Sequence, residues 1–238
     1  MHLSGQIAIV TGAGRGLGRA IAQCLAADGA ALVVAARTQP EVAALVAEIV
    51  ASGGRALAVV ADVAQESGAQ RLVATAADWS GGRVDLLVNN VGWTYRAPVH
   101  EIASDSWRGS LDVNLSSTFY CMRAVAPLMI AAGGGKIINI ASTGGRHGGP
   151  RGGAYSAAKF GVIGLGESAA RDLKDYGISV SAVLPGPTAT PARARNAPDE
   201  DPRTALAPSD VAEAVLFLAT RPRNVIIPEI TIVPRKTL

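Results

Sequence analysis

The stretch Thr11-Gly12-Ala13-Gly14-Arg15-Gly16-Leu17-Gly18 joins an apolar run at 6–10 to an Ala-rich segment at 16–29. The first reads as a short buried strand and the second as a helix. Glycine at a strand-to-helix turn permits backbone angles other residues avoid. It lets a ligand approach the main chain and leaves the first helical N–H groups facing that ligand. Gly12, Gly16 and Gly18 are spaced one residue wider than the common G-x-G-x-x-G. Structural tight turns use such clusters too. Its place in the first strand–helix connection favours a pyrophosphate, and so a dinucleotide, held by Gly12, Arg15, Gly16, Leu17 and Gly18.

The same alternation continues outward. Apolar runs at 31–35, 55–61, 84–89, 136–141, 178–184 and 225–233 read as strands. Segments at 40–52, 66–79, 104–131, 154–176 and 209–219 read as helices. Short β-branched strands without strict alternation imply burial on both faces, and strands alternating with helices imply right-handed βαβ units. The expectation is an α/β fold: a single Rossmann-like, doubly wound domain over 1–238, with a seven-stranded parallel sheet and helices on both faces. Pro228 falls within the last strand, which suits an edge or a bulge. The segment 187–208 holds five prolines and three consecutive acids at 199–201, and is expected to be a surface loop acting as a substrate lid.

Composition narrows the function. The net charge is +3 with no run of Lys or Arg, so nucleic acid has no electrostatic footprint here. Cys24 and Cys121 sit in apolar helical patterns, expected as packed thiols in a reducing, cytoplasmic setting rather than a disulfide. No signal peptide is read at the N-terminus. No apolar run reaches the ~18 residues that span a bilayer, so no membrane partner is expected, and no metal site is expected either.

The second strand ends at Ala35-Ala36-Arg37. Folds that prefer NAD place an Asp or Glu there for the ribose 2′-OH. Arg37, with Arg15 from the glycine loop, favours a 2′-phosphate instead and selects NADP(H). One charge-assisted bond is worth about 1.5–3 kcal/mol, which is ~10- to 150-fold in affinity.

Further along stand Ser142 and Tyr155-Ser156-Ala157-Ala158-Lys159. With the glycine loop, Asn89-Asn90-Val91-Gly92, Asn114 and Pro185-Gly186, they give the chain the order of motifs of the classical short-chain dehydrogenase/reductase family, which it resembles over nearly its whole length, most nearly the 3-oxoacyl-reductase type. The residues carry a chemistry of their own. Tyr155 and Lys159 are four apart on a helix and share a face. An ammonium beside a phenol favours phenolate and lowers its pKa from ~10, making Tyr155 a usable acid/base. Ser142 ends the preceding strand, where it can hydrogen-bond a substrate oxygen. The resemblance implies more. Lys159 would also bond the nicotinamide ribose, and Asn114 would hold a water in a proton relay. Asp62 and Val63 would contact adenine, while Asn90 would steady the sheet and border the adenine ribose, with Gly92 beside it. Pro185, Gly186, Thr188 and Thr190 would lie near the carboxamide and pyrophosphate, although Thr188 stands where the family usually has Val.

Substrate is expected beside Tyr155, faced by 93–96, 143–153 and 187 onward. Trp93 and Tyr95 offer flat apolar surface. Thr143 and Gly144 border the site, and Arg146, His147 and Arg151 either attract an anion or form a solvated basic loop. The resulting expectation is an NADP(H)-dependent oxidoreductase acting on a small carbonyl or secondary alcohol. A dehydrogenase of a sugar, hydroxy acid or hydroxy amino acid is the alternative, and a catalytically idle NADP(H)-sensing regulator is the alternative of another class. The family resemblance implies a homodimer or homotetramer.

Overall fold

Strand β1 (Ile7–Thr11) is buried at all five positions. In the computed structural model, which describes residues 1–196 and 201–237, it pairs in parallel with β2 (Ala31–Ala36) on one side and β4 (Leu86–Asn89) on the other. Its side chains alternate between the two faces of the sheet. Ala8 and Val10 join the core under α1 (Gly16–Ala27), α2 (Gln39–Ala51) and α8 (Pro208–Ala219), alongside Ile21, Leu45 and Val215. Ile9 joins the opposite core with Leu72 of α3 (Glu66–Ser80) and Val125 of α5 (Ser117–Ala131). Burial on both faces explains why the strands read as apolar runs rather than alternating ones.

With β3 (Ala56–Val60), β5 (Gly135–Ile140), β6 (Ile178–Pro185) and β7 (Glu229–Ile232), the sheet has seven parallel strands in the order β3-β2-β1-β4-β5-β6-β7. The chain moves outward from β1 to β3 and then crosses back to β4. The strand order therefore reverses between β1 and β4, and a crevice opens at their carboxyl ends.

Three local differences from the sequence reading matter for function. The segment read as one helix over 104–131 is α4 (Ser104–Leu111), a π-helical turn at Asp112–Ser116, and α5. The widened turn coincides with Asn114, whose side chain engages another loop. The last strand covers only Glu229–Ile232, at the sheet edge, so Pro228 precedes it, and its carbonyl accepts the Ala182 N–H at 2.9 Å. The segment 187–208 has a closed neck. Ala189 donates to the Leu206 carbonyl and Leu206 to the Pro187 carbonyl, both at 2.8 Å. It carries a short helix α7 (Pro191–Asn196), while 197–200, with Pro198 and two of the three acids, lie outside the described residues.

Cys121 is fully buried, and burial pushes its thiol up to about 12, so it packs as an inert hydrophobe. No helix among the described residues is long and apolar enough to cross a membrane.

Candidate active site

The glycine loop leaves β1 and enters α1 at Gly16. Arg15, the residue before the helix, makes no side-chain cap, and the first turn holds no acid. The first N–H groups and the positive end of the helix dipole thus remain available to an anion. Gly18 is required by close approach, since a Cβ there would lie 2.3 Å from the Gly12 carbonyl oxygen. Gly16 has φ +55, and Thr190 and Pro191 lie 3.6 Å from where its Cβ would stand, so the segment after β6 runs against the loop. The Asn90 side chain donates to the carbonyls of Thr11 (3.0 Å) and Gly12 (3.3 Å), tying the end of β4 to the loop. Beyond the next strand ends, Arg15 pairs with Glu41 at 3.5 Å and Arg37 with Asp62 at 4.0 Å, all on the surface. Asp62 also accepts the Ala64 N–H at 3.1 Å, and Val63 beside it is buried.

The catalytic candidates converge from three elements. Ser142 follows β5, Tyr155 and Lys159 lie on α6 (Gly153–Leu173), and Asn114 sits in the π-helical turn. Lys159 is 4% exposed and donates to the Ile140 carbonyl at 2.8 Å. Burial lowers its pKa to about 8. Asn114 is fully buried, and its amide grips Trp93 at both backbone groups: it accepts the Trp93 N–H at 2.9 Å and donates to the Trp93 carbonyl at 2.8 Å. A side chain at Gly92 would meet Asn114 Oδ1 at 3.2 Å and Lys159 Nζ at 3.5 Å, so the glycine keeps open the space bordered by both. Ser142 Oγ accepts the Gly144 N–H at 3.0 Å, which leaves its own proton to donate onward.

Tyr155 departs from the sequence expectation in one respect. Burial raises its pKa above the ordinary phenol value, while the hydroxyls of Ser142 and Thr94 pull it back down. Lys159 Nζ lies 5.9 Å from the ring centroid and is engaged by a carbonyl. Desolvation of the phenol outweighs an ammonium at that range. Thr94 is the residue the sequence reading passed over. It lies in the 93–96 segment expected to face substrate, but nothing in its type or spacing singled it out.

The substrate-side candidates divide. Trp93 and Tyr95 pack on each other, ring centroids 5.6 Å apart. Gly144 lies against Tyr155, whose ring is 3.4 Å from where a Cβ would stand. Thr143, Arg146 and His147 line a cavity of about 320 Å³ with Leu184, Glu229 and Thr231. Arg146 bonds Glu229 (2.6 Å) and Glu167 (3.3 Å), so two acids match its charge. Arg151 has φ +60, uncommon for a residue with a side chain, and its carbonyl accepts the Ala97 N–H at 2.9 Å. Burial and then the like charge of Arg96 push the guanidinium of Arg193, on α7, below its ordinary range. Gly186, after Pro185, donates to the Ile232 carbonyl at 2.7 Å and accepts from Thr188 Oγ1 at 3.0 Å. Thr190 Oγ1 accepts the Arg193 N–H at 3.2 Å. A separate cavity of about 350 Å³, lined by Val99, Ile102, Ser104, Trp107 and Gly153, holds none of the catalytic candidates. Among the described residues no cluster of His, Cys, Asp and Glu could hold a metal ion.

A family described as short chain dehydrogenase matches residues 6–201. The chain is 42% identical over 226 residues to a 3-oxoacyl-[acyl-carrier-protein] reductase of Synechocystis sp., covering 92% of this chain and 91% of the relative. It is 42% identical over 188 residues to a sorbitol dehydrogenase of Cereibacter sphaeroides, covering 78% of this chain and 72% of the relative. Among solved structures, a metagenomic short-chain oxidoreductase in complex with NADP superposes with a TM-score of 0.87 at 36% identity, covering 98% of this chain and 99% of that one.

The buried ammonium has a pH signature. Its folded pKa of about 8 lies below the unfolded lysine value of ~10.4, so between the two the unfolded chain binds more protons and stability rises with pH. Thermal melts of the ligand-free protein from pH 7.5 to 9.5 should show a stabilising increment relative to Lys159→Met. Identical pH dependence in the two proteins would contradict the buried, depressed lysine.

Proposed function

The chain belongs to the short-chain dehydrogenase/reductase family, and from that premise we propose that it is an NADP(H)-dependent reductase of small ketones, of the 3-oxoacyl-reductase kind. The observation that carries this reading is the convergence of the Tyr155 phenol, the Ser142 hydroxyl and the buried Lys159 ammonium on a crevice that begins at an uncapped helix N-terminus.

The glycine loop and the start of α1 fit a pyrophosphate, and the space kept open at Gly92 fits a ribose beside Lys159. Arg15 and Arg37 fit a 2′-phosphate, because their present surface ion pairs are worth only ~0–1 kcal/mol each and yield to a doubly charged group. NADP(H), when bound, supplies or accepts the hydride. In the reducing direction Ser142 donates a hydrogen bond to the substrate carbonyl oxygen and Tyr155 delivers its proton to that oxygen. The resulting phenolate is reprotonated from the side of Lys159, whose pKa of about 8 lets it pass a proton near neutral pH. Asn114 holds the far end of that relay. We take the whole chain as one functional unit with 187–208 as its cover. Subunits pair through α5 and α6, which expose Phe119 and Phe160. A second reading, an anionic oxo or hydroxy acid as substrate, is supported by the positive charge of Arg96 felt at Arg193 on α7.

A panel of ketoesters, diketones, keto acids and 3-oxoacyl thioesters run with NADPH tests the function. Reduction of 3-oxo compounds is the expected result, and no turnover on any carbonyl would overturn it. A keto-acid preference that disappears in Arg96→Ala would select the second reading. Tyr155→Phe should keep NADPH affinity and lose ~10²- to 10⁴-fold in kcat, and retained turnover would rule out the assigned acid/base. Arg37→Ala should weaken NADPH by ~10- to 150-fold and leave NADH nearly unchanged. Equal effects on the two cofactors, read by fluorescence titration, would remove the basis for NADP selectivity.

A further inference from the structure

The segment from Trp93 to Ala97 is pinned at both ends. The buried Asn114 amide holds the Trp93 N–H (2.9 Å) and carbonyl (2.8 Å), and the Ala97 N–H donates to the Arg151 carbonyl (2.9 Å), four residues before Tyr155. Between the pins, the rings of Trp93 and Tyr95 pack against each other. Thr94 lies between them in sequence, half-buried, and its hydroxyl acts to lower the pKa of the Tyr155 phenol. Ser142 is the second hydroxyl that acts on the phenol, its Oγ already accepting the Gly144 N–H. The phenol therefore meets two hydroxyls carried on separate, backbone-fixed loops.

We propose that Thr94 is a positioning residue of this site: its hydroxyl, fixed by the two pins, orients Tyr155 and donates a hydrogen bond to the deprotonated phenol. Ser142 is the hydroxyl that faces the substrate oxygen, so once substrate is bound its proton is drawn away from the phenol. Thr94 then remains as the donor that stabilises the phenolate left after proton transfer. No bond to Thr94 forms or breaks in this role, and the transferred proton belongs to Tyr155. The charged groups on the elements packed here are Lys159, Glu167, Arg171 and Asp172 on α6, Asp105 and Arg108 on α4, Asp112 in the π-helical turn, Arg96 on the pinned segment, His147 and Arg151 before α6, and Arg193 on α7. Lys159 reaches the ring at 5.9 Å and is held by the Ile140 carbonyl. The groups that act on the phenol are thus hydroxyls, and substitution of one of them is readable. The role rests on Tyr155 being the acid/base, as proposed above.

The test compares wild type, Thr94→Val, Thr94→Ala and Thr94→Ser in two measurements. The first is the pH profile of kcat/KM for NADP⁺-driven oxidation of a secondary alcohol, which needs the phenolate. Losing a donor to the phenolate raises the phenol pKa, so the acid limb should move to higher pH by roughly one to two units in Thr94→Val, the size of one charge-assisted hydrogen bond. Thr94→Ser should restore it, with NADP(H) affinity unchanged throughout. Thr94→Ala carries the same expectation should Val not be accommodated. The second is a spectroscopic titration of the phenolate, referenced to Tyr155→Phe, which reads the displacement without turnover. A displaced titration with no alcohol or ketone turned over would sink the proposed function and leave Thr94 standing. Titrations that superimpose for wild type and the hydroxyl-free variants, or a Thr94→Ser that does not restore the limb, would overturn the role of Thr94.

Discussion

The Asn90 amide, donating to the carbonyls of Thr11 and Gly12, is the interaction on which the rest of the site depends. Those carbonyls leave β1 just where the sheet stops and the loop must turn back into α1. A parallel strand end with no neighbour beyond it has backbone acceptors that must find a donor. Asn90 supplies one from β4, the strand on the other side of the switch point. The same residue donates its own N–H to Thr11 Oγ1 at 3.0 Å, so its backbone and its side chain both hold the end of β1. Gly18 fits under this closure because it has no Cβ, and the first turn of α1 is thereby aimed into the crevice. Both halves of the site, the anion cradle and the 92–96 segment, leave from this tie.

Burial governs the chemistry on the far side of the crevice. It lowers Lys159 to about 8 and raises Tyr155, moving apart two pKa values that nearly coincide in water. Each charged form lacks solvent, so each group depends on a neighbour: Lys159 on the Ile140 carbonyl, Tyr155 on hydroxyls. The ammonium is thus the stronger acid of the two, so a proton passes downhill from Lys159 to a Tyr155 phenolate and restores the phenol. In water that difference would vanish, and neither group would be held in place.

Much of this was legible in the chain. The glycine loop, the alternation of elements, the edge position of the last strand and the i, i+4 pairing of Tyr155 with Lys159 are local patterns with local causes. What was misread depends on contacts made across the fold. The apolar period runs unbroken through 104–131, yet Asn114 turns inward to grip Trp93, and the helix widens there. Val225, Ile226 and Ile227 look like strand, but pairing with β6 begins only at Glu229. The spacing that sets Tyr155 and Lys159 on one face says nothing of the Ile140 carbonyl that draws the ammonium away, and so it gives the wrong sign for the phenol. Thr94 was invisible for the same reason, because its role is conferred by Asn114 and Arg151 holding its neighbours.

The arginines show why substrate preference is the last thing a sequence yields. Counted along the chain, Arg96, Arg146, Arg151 and Arg193 carry equal weight, and the glycine-rich stretch around Arg146 looks the most basic. The fold sorts them. Arg146 meets Glu229 from β7 and Glu167 from α6, and becomes a strut between loop, strand and helix. Arg193 rises on α7 from a neck closed by Ala189 and Leu206, and burial and then the like charge of Arg96 push its guanidinium below the ordinary range. Where a cation sits along the chain therefore says less about a ligand than which groups the fold sets beside it.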